Sequence, residues 1–167
     1  MQVSFFDLDN PSNFAEKFDI GYCYGLLYHI TNPEVALNLI ANHVKSILLL
    51  ETCVSFNYED KVIIHNEDKD SFSQSIYGVG CKPGRKWLYY QLKKHFKHVY
   101  MPLSQPDHYE FPIDWLQNSN DDVLHRAIFI ASNNIIENDL LVESIVYKQF
   151  NNKFVFDNYL WDNLVNF

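Results

Sequence analysis

Glycine, cysteine and basic residues are scarce in this sequence, and each scarcity excludes a class of protein. The chain of 167 residues has five glycines, and none of their spacings follows a strand and opens a helix as a nucleotide-binding turn does. Its three cysteines include no CxxC pair, so neither a disulfide framework nor a zinc knuckle is expected. Thirteen basic residues against twenty-one acidic ones leave a net charge of −8, which disfavours nucleic acid or an anionic membrane as a partner.

Long apolar runs and several catalytic motifs are lacking too. No stretch approaches the roughly twenty apolar residues of a membrane span, and the first residues, MQVSFFDLDN, lack the pattern of a signal peptide. GxSxG, HExxH and Walker motifs do not occur, which excludes the usual hydrolases and nucleotide triphosphatases. The 47% hydrophobic and 16% aromatic content is ample for a packed core. We expect a soluble globular protein of the reducing cytoplasm.

A strand, a helix and a second strand form the clearest local pattern. Residues 19–27, DIGYCYGLL, are an apolar run typical of a buried strand. Thr31 and Pro33 then give helix-start signals, and apolar residues recur at helical spacing until His43. The run ILLL at residues 47–50 predicts the second strand. Such short junctions indicate a crossover between parallel strands, and hence an α/β sheet covered on both faces.

The rest of the chain continues the alternation less regularly. The polar residues 57–75 predict a solvated loop or a flap over a site. Residues 85–96 carry an apolar stripe and predict a second helix. Residues 99–101 and 127–131 predict two more strands, and the aromatic tail from residue 150 predicts a short docking helix.

Several stretches resemble class I S-adenosylmethionine-dependent methyltransferases. Residues 18–33, FDIGYCYGLLYHITNP, are similar to the fourth strand and the active-site loop of that family. LLLET at 48–52 resembles its fifth strand, and VSFFDLD at 3–9 resembles its third strand with the acidic residue that follows. GCKPGRKWL, QPDHYEFPIDW and RAIFIAS are similar to a bacterial subgroup of these enzymes. The resemblance covers most of residues 3–132.

The resemblance implies a fold with one large departure from the family pattern. It implies a Rossmann-like sheet that begins at the third strand, ends in an antiparallel hairpin and occupies residues 1–149, with residues 150–167 as a tail packed on it. The family's glycine-rich turn and second-strand acid are missing. Because the first strand lies beside the fourth in that family, the edge of residues 18–27 should be unpaired and apolar. A gene fragment, a split enzyme completed by a second chain, and a degenerate non-catalytic relative all remain open.

The resemblance also assigns residues to the cofactor and to the methyl transfer. Asp7 and Leu8 would meet the adenine of S-adenosylmethionine, and Tyr24 and Gly25 would line the cofactor. His29 would face the transferred methyl group, where it could accept the proton of an acceptor hydroxyl or amine. The alternatives are a solvated turn at Asp7 and a loop histidine that packs.

A second group of side chains is placed to meet a small polar acceptor such as a carbohydrate or metabolite. Each has an ordinary structural alternative: core packing, capping, solvation or a packed loop. The candidate acceptor-binding residues are Tyr28, Glu51, Lys82, Arg85 and His108. His95 and His98 have a helical metal-binding spacing, but without a second pair of ligands they are interpreted as structural, so no metal site is expected.

The sequence therefore predicts the acceptor-side half of a methyltransferase, inactive without its cofactor-binding half. The alternative is a non-catalytic binding or regulatory partner that uses the exposed strand edge to pair with another chain.

Overall fold

Two parallel strands joined by a helix open the described part of the fold. The structure, a computed structural model, describes residues 7–9, 16–71, 73–117 and 123–151. β1 (Phe18–Tyr24) leads through a 3₁₀ turn (Leu27–His29) into α1 (Pro33–His43), and β2 (Val44–Val54) returns parallel to β1. The side chain of Asn32 accepts a hydrogen bond from the Val35 amide at 3.3 Å and caps α1, so the predicted helix start is confirmed.

The remaining elements follow in chain order. They are β3 (Val62–Asn66), β4 (Val79–Pro83), α2 (Arg85–Lys93), β5 (His98–Pro102), β6 (Ser104–Gln105), β7 (His125–Ser132), β8 (Leu141–Val142) and β9 (Phe150–Asn151).

The central sheet has five strands in the order β1-β2-β7-β5-β8. β1 and β2 are parallel, whereas β7 runs antiparallel to both of its neighbours, β2 and β5. The fold is thus mixed α/β with a mostly antiparallel sheet, although β1, β2 and β5 point the same way. The expected parallel sheet holds only for the strand–helix–strand unit, because the later connections are not crossovers between adjacent parallel strands.

Two sequence-based expectations need correction. Residues 57–75 are not wholly a loop, because Val62–Asn66 forms β3 and pairs antiparallel with β4. β2 extends to Val54, so Glu51 lies inside the strand rather than at its exit. Residues 3–6 of the expected third strand and 152–167 of the expected docking helix lie outside the described residues.

One face of the central sheet is buried beneath the two helices. Alternate side chains of β2 and β7 on this face are fully buried in one cluster with residues of α1 and α2. The sheet contributes Cys23, Leu48, Leu50, Val99, Met101, Ala127, Phe129 and Ala131, and the helices contribute Ala36, Leu37, Leu88 and Leu92. Neither helix among the described residues is long and apolar enough to cross a membrane.

The opposite face of the sheet is apolar but only partly covered by the described residues. We call it the open face; it consists of Ile20, Tyr22, Tyr24, Ile47, Leu49, Ile128 and Ile130, which the strand registers place side by side. On β1, which is an edge of the described sheet, Ile20 is 63% and Tyr22 70% exposed. An exposed apolar patch on an edge strand is typical of an interaction surface.

Arg85 joins α2 to the loops around it. Its guanidinium is fully buried: Nε donates to Glu59 Oε1 at 3.0 Å, Nη1 donates to the Val146 carbonyl at 2.7 Å, and the Trp115 ring lies 3.9 Å away. Burial lowers the pKa of Arg85, while the attraction of Glu59 opposes that shift. Arg85 therefore ties three segments together from inside the protein.

Arg85→Ala should destabilise the chain strongly, because it leaves the Glu59 carboxylate without its cation. We expect the free energy of unfolding to fall by about 3–5 kcal/mol, measured by urea denaturation. Lys86→Ala on the same helix is the matched control and should change it little. Arg85→Met combined with Glu59→Gln should recover part of the loss, since no buried charge remains. A small loss in Arg85→Ala would contradict this structural role.

Candidate functional site

A cavity of about 740 Å³ opens beside the end of β1. We call it the His29 cavity. Its walls come from the turn after β1, from the described residues 7–9 and from the tip of the β3–β4 hairpin. The lining residues are Asp7, Leu8, Asp9, Gly25, Leu26, His29, Ile30, Ser73, Gln74, Ser75, Ile76 and Tyr77.

Hydrogen bonds hold the separate walls of this cavity together. Asp9 Oδ1 accepts the Thr31 amide at 2.8 Å, which ties residues 7–9 to the start of α1. Tyr77 OH donates to Asp7 Oδ2 at 2.7 Å, which ties the same segment to the hairpin tip. This bond raises the pKa of Tyr77. The hairpin tip, which belongs to the segment expected to be a loop or a flap, therefore forms one wall of this cavity.

His29 is paired with a carboxylate of the hairpin. Its Nδ1 lies 2.8 Å from Glu67 Oε2, and the Glu67 side chain is only 3% exposed. An ionised carboxylate can only accept, so Nδ1 carries the proton and Nε2 is the basic nitrogen of the neutral ring. This is the arrangement in which a histidine can take a proton from a bound molecule.

Glu67 is held as a carboxylate by its surroundings. Burial favours the neutral acid, but hydrogen bonds from His29 and from the Ser75 amide, the latter at 2.6 Å, outweigh it and lower the pKa of Glu67. His65 Nε2 lies 3.3 Å from the other carboxylate oxygen. A Cβ at Gly80 would collide with the Glu67 carboxylate and the Tyr28 carbonyl, so glycine at position 80 makes room for the pair.

A second cavity, of about 370 Å³, lies where the open face meets the loop after β6. We call it the Arg126 cavity. Its lining residues are Tyr24, Glu51, Pro106, His108, Glu110, Phe111, Arg126 and Ile128. Tyr24 is the last residue of β1, whereas β2 continues to Val54, so this cavity lies over the open face beside the carboxyl end of β1.

Arg126 is the centre of a charged network in this cavity. Its Nη1 donates to Glu51 Oε1 at 2.8 Å, its Nε to Glu110 Oε2 at 2.6 Å, and its Nη2 to Tyr28 OH at 3.3 Å. Burial alone would lower the pKa of Arg126, but these hydrogen bonds raise it above its usual value. The guanidinium is therefore a permanent cation shared by two carboxylates.

Hydrogen bonds link the two cavities. Glu51 Oε2 accepts the Gly25 amide at 2.9 Å, and Gly25 lines the His29 cavity. The Tyr28 ring packs against that of His29, with centroids 4.0 Å apart, while its hydroxyl contacts Arg126. Gly25 has a φ of +65°, and a Cβ there would meet only open space, so the backbone turns away from β1 without blocking the cavity.

The structure separates the residues singled out in the sequence into four groups. Asp7, Leu8, Gly25 and His29 line the His29 cavity, and Tyr24, Glu51 and His108 line the Arg126 cavity. Tyr28 lies between the two. Lys82, on β4 opposite Ile63, and the buried Arg85 line neither cavity, so their proposed acceptor contacts stay predictions.

Two residues of the site, Glu67 and Arg126, were not assigned a role from the sequence. Glu67 lies within the segment interpreted as a loop, where the alternation in VIIHN was the available signal. Arg126 begins a recognisable strand, but its ion pair with Glu51 spans 75 positions and follows from the register of β2 and β7. No local pattern reports such a pairing.

Comparisons with known proteins bear on the fold. No family model matches the sequence, and no curated protein matches it. Similar solved structures include the N-terminal domain of EvdMO1 with S-adenosylhomocysteine bound, and the same domain in the presence of S-adenosylhomocysteine and D-fucose. Each is 17% identical with a TM-score of 0.50, and the match covers 70% of this chain and 47% or 48% of the other. The chain spans about half the length of these structures, and the likeness shows a shared fold.

The low pKa of Glu67 predicts a specific loss of stability in acid. The unfolded chain protonates this carboxyl near the ordinary value of 4.5, above the pKa of the folded state, so Glu67 stabilises the fold above that pH. The contribution disappears as the pH falls through the folded pKa. Glu67→Gln should flatten this part of the curve of unfolding free energy against pH. The control is Glu137→Gln, which removes an exposed carboxylate outside both cavities and should leave the curve unchanged. Equal curves for the wild type and Glu67→Gln would contradict the stabilising role of the Glu67 carboxylate.

Proposed function

We propose that this chain is the acceptor-side half of an S-adenosylmethionine-dependent methyltransferase domain, and that His29, oriented by Glu67, is its general base. The observation that carries the proposal is the His29–Glu67 pair at the wall of a cavity that Asp7 and Gly25 also line. The methyltransferase resemblance of residues 18–33 and the shared fold with an S-adenosylhomocysteine-bound domain support it.

The residues present suit part of this cofactor. When bound, S-adenosylmethionine supplies an electrophilic methyl group on a sulfonium cation. Asp7 and Asp9 line the His29 cavity and make it negative, which suits a cation, and the open side of Gly25 leaves room at the wall. Asp7 and Leu8 would meet the adenine, and Gly25 would line the cofactor, whereas Tyr24 lies in the Arg126 cavity. A glycine-rich turn and a second-strand acid, which would hold the rest, are not in the sequence.

The chain's own chemistry is alignment and proton transfer. His29 Nε2 takes the proton of an acceptor hydroxyl or amine, and Glu67 stabilises the imidazolium that results. Tyr28 packs on the His29 ring and limits its rotation. Because methyl transfer depends chiefly on alignment, the acceptor must be held beside His29, and the adjoining Arg126 cavity is the proposed place. A carbohydrate or small polar metabolite fits this role, and the structure of one relative in the presence of D-fucose supports a carbohydrate.

The open face favours a partner chain. We propose that a second chain carrying the glycine-rich half adds a strand to the edge of β1 and covers Ile20 and Tyr22. The second candidate function, a non-catalytic regulatory partner, uses the same edge and is favoured by the same exposed side chains. The two differ in whether the assembled complex binds the cofactor tightly.

Titration with S-adenosylhomocysteine tests the partial cofactor site. Calorimetry on the purified chain should show no micromolar binding, because the residues that would hold most of the cofactor are missing. Millimolar ligand should nonetheless shift the amide NMR signals of Leu8, Gly25 and His29, whereas Asp7→Asn should weaken those shifts. Micromolar affinity would contradict the proposal that this chain holds only part of the cofactor site. Signals that stay unshifted at the solubility limit of the ligand would contradict any binding of the cofactor by this chain.

Sedimentation tests the open face. The purified chain should self-associate with rising concentration, since its apolar edge has no cover from the described residues. Ile20→Lys should shift the chain toward monomer without loss of stability. Ile135→Lys is the matched control, because Ile135 is 71% exposed in the loop after β7 and is not one of the strand residues of the open face. A wild-type chain that stays monomeric at high concentration would count against an uncovered edge.

A further inference from the structure

The charge of the Arg126 cavity restricts what can bind there. Among its lining residues, Glu51 and Glu110 carry carboxylates and Arg126 carries the guanidinium, so with His108 neutral the lining has one net negative charge. The cations Lys82 and Arg85 are not among its lining residues.

The guanidinium is not available to a ligand anion. It already donates to both carboxylates, at 2.8 Å and 2.6 Å, and the Glu51 and Glu110 side chains are only 7% and 15% exposed. An incoming carboxylate or phosphate would have to displace one of them and leave it buried without its cation, which is strongly unfavourable. Arg126 thus holds Glu51 and Glu110 in place instead of binding a ligand anion.

The other walls suit an uncharged ring. Tyr24, Phe111, Pro106 and Ile128 give the cavity apolar and aromatic sides. Its volume of about 370 Å³ lies at the small end of ligand pockets, roughly 300–1,000 Å³. Glu110 lines the cavity with one carboxylate oxygen bonded to Arg126, so a ligand hydroxyl or ammonium that reaches the remaining acceptor capacity of this carboxylate can donate to it.

We infer that the Arg126 cavity selects a single ring bearing hydroxyl or amino groups and rejects anionic molecules. The inference rests on the proposed function, in which this ligand is the methyl acceptor. It narrows the acceptor from any small polar metabolite to a neutral or amine-bearing sugar-like compound.

Three monosaccharides of similar size test the selectivity: D-glucose, D-glucosamine and D-glucuronate. Each is titrated into the isotope-labelled chain, and the amide signals of Glu51, His108 and Arg126 are followed by NMR. Glucose and glucosamine should shift these signals, with glucosamine binding at least as tightly as glucose. Glucuronate should bind roughly tenfold more weakly than glucose, because it meets a net negative lining. Glucuronate binding as tightly as glucose would overturn the inference, and so would three sugars that leave these signals unmoved.

Glu110→Gln probes the cause, since it neutralises the lining. The gap between glucose and glucuronate should shrink several-fold in this variant, whereas the matched control Glu137→Gln should preserve it. If the difference in affinity between glucose and glucuronate is unchanged in a folded Glu110→Gln chain, the electrostatic explanation is wrong. If the variant does not fold, the order of affinities of the three sugars for the wild-type chain still tests the inference.

Failure here is distinguishable from failure of the proposed function. S-adenosylhomocysteine should perturb Leu8 and His29 in the other cavity. If those shifts appear and the sugars fail, the ligand class is wrong and the methyltransferase site stands. If the sugars follow the expected order and S-adenosylhomocysteine does not bind, the cavity stands and the methyltransferase proposal falls.

Discussion

The site depends on the hydrogen bonds that the buried carboxylate of Glu51 accepts. Glu51 lies within β2, an interior strand of the sheet, is 5% exposed, and joins the turn after β1 at Gly25 to Arg126 of β7. A charge at this depth is tolerated only when it is fully hydrogen-bonded to a cation or to amides. Meeting that requirement aligns β1, β2 and β7 at their functional edge, and it places Arg126 where Glu110 and Tyr28 can reach it.

The two cavities follow from this alignment. The turn held by Glu51 continues into the 3₁₀ turn that carries Tyr28 and His29, so the position of the proposed base depends on the same carboxylate. The β3–β4 hairpin then contributes Glu67 from the far side, and glycine at position 80 leaves space for it. The strand–helix–strand unit thus supplies His29, and the hairpin supplies the carboxylate of Glu67 that contacts it.

Local patterns were sufficient for a large part of the fold. The crossover between β1 and β2, the start of α1 at Pro33 and the positions of α2, β5 and β7 were all predictable, because each depends on side chains within a few residues of one another. β3 was missed, since a five-residue strand between polar segments has a weak apolar signal. The direction of β7 relative to β2 decides the mostly antiparallel character of the sheet, and no local pattern encodes it.

The sequence by itself singled out Gly25 and His29 after β1, and Glu51 in β2, because each lies in a short continuous segment with a distinctive pattern. Only the tertiary structure decided their partners. Glu67 is 38 positions from His29, and Arg126 is 75 positions from Glu51, so each pair forms through strand register and hairpin packing. The structure likewise distinguishes the two arginines: Arg85 is buried and joins segments of the interior, whereas Arg126 lines a cavity. A lone basic residue in a sequence has the same charge in either place, and its burial and partners decide what it does.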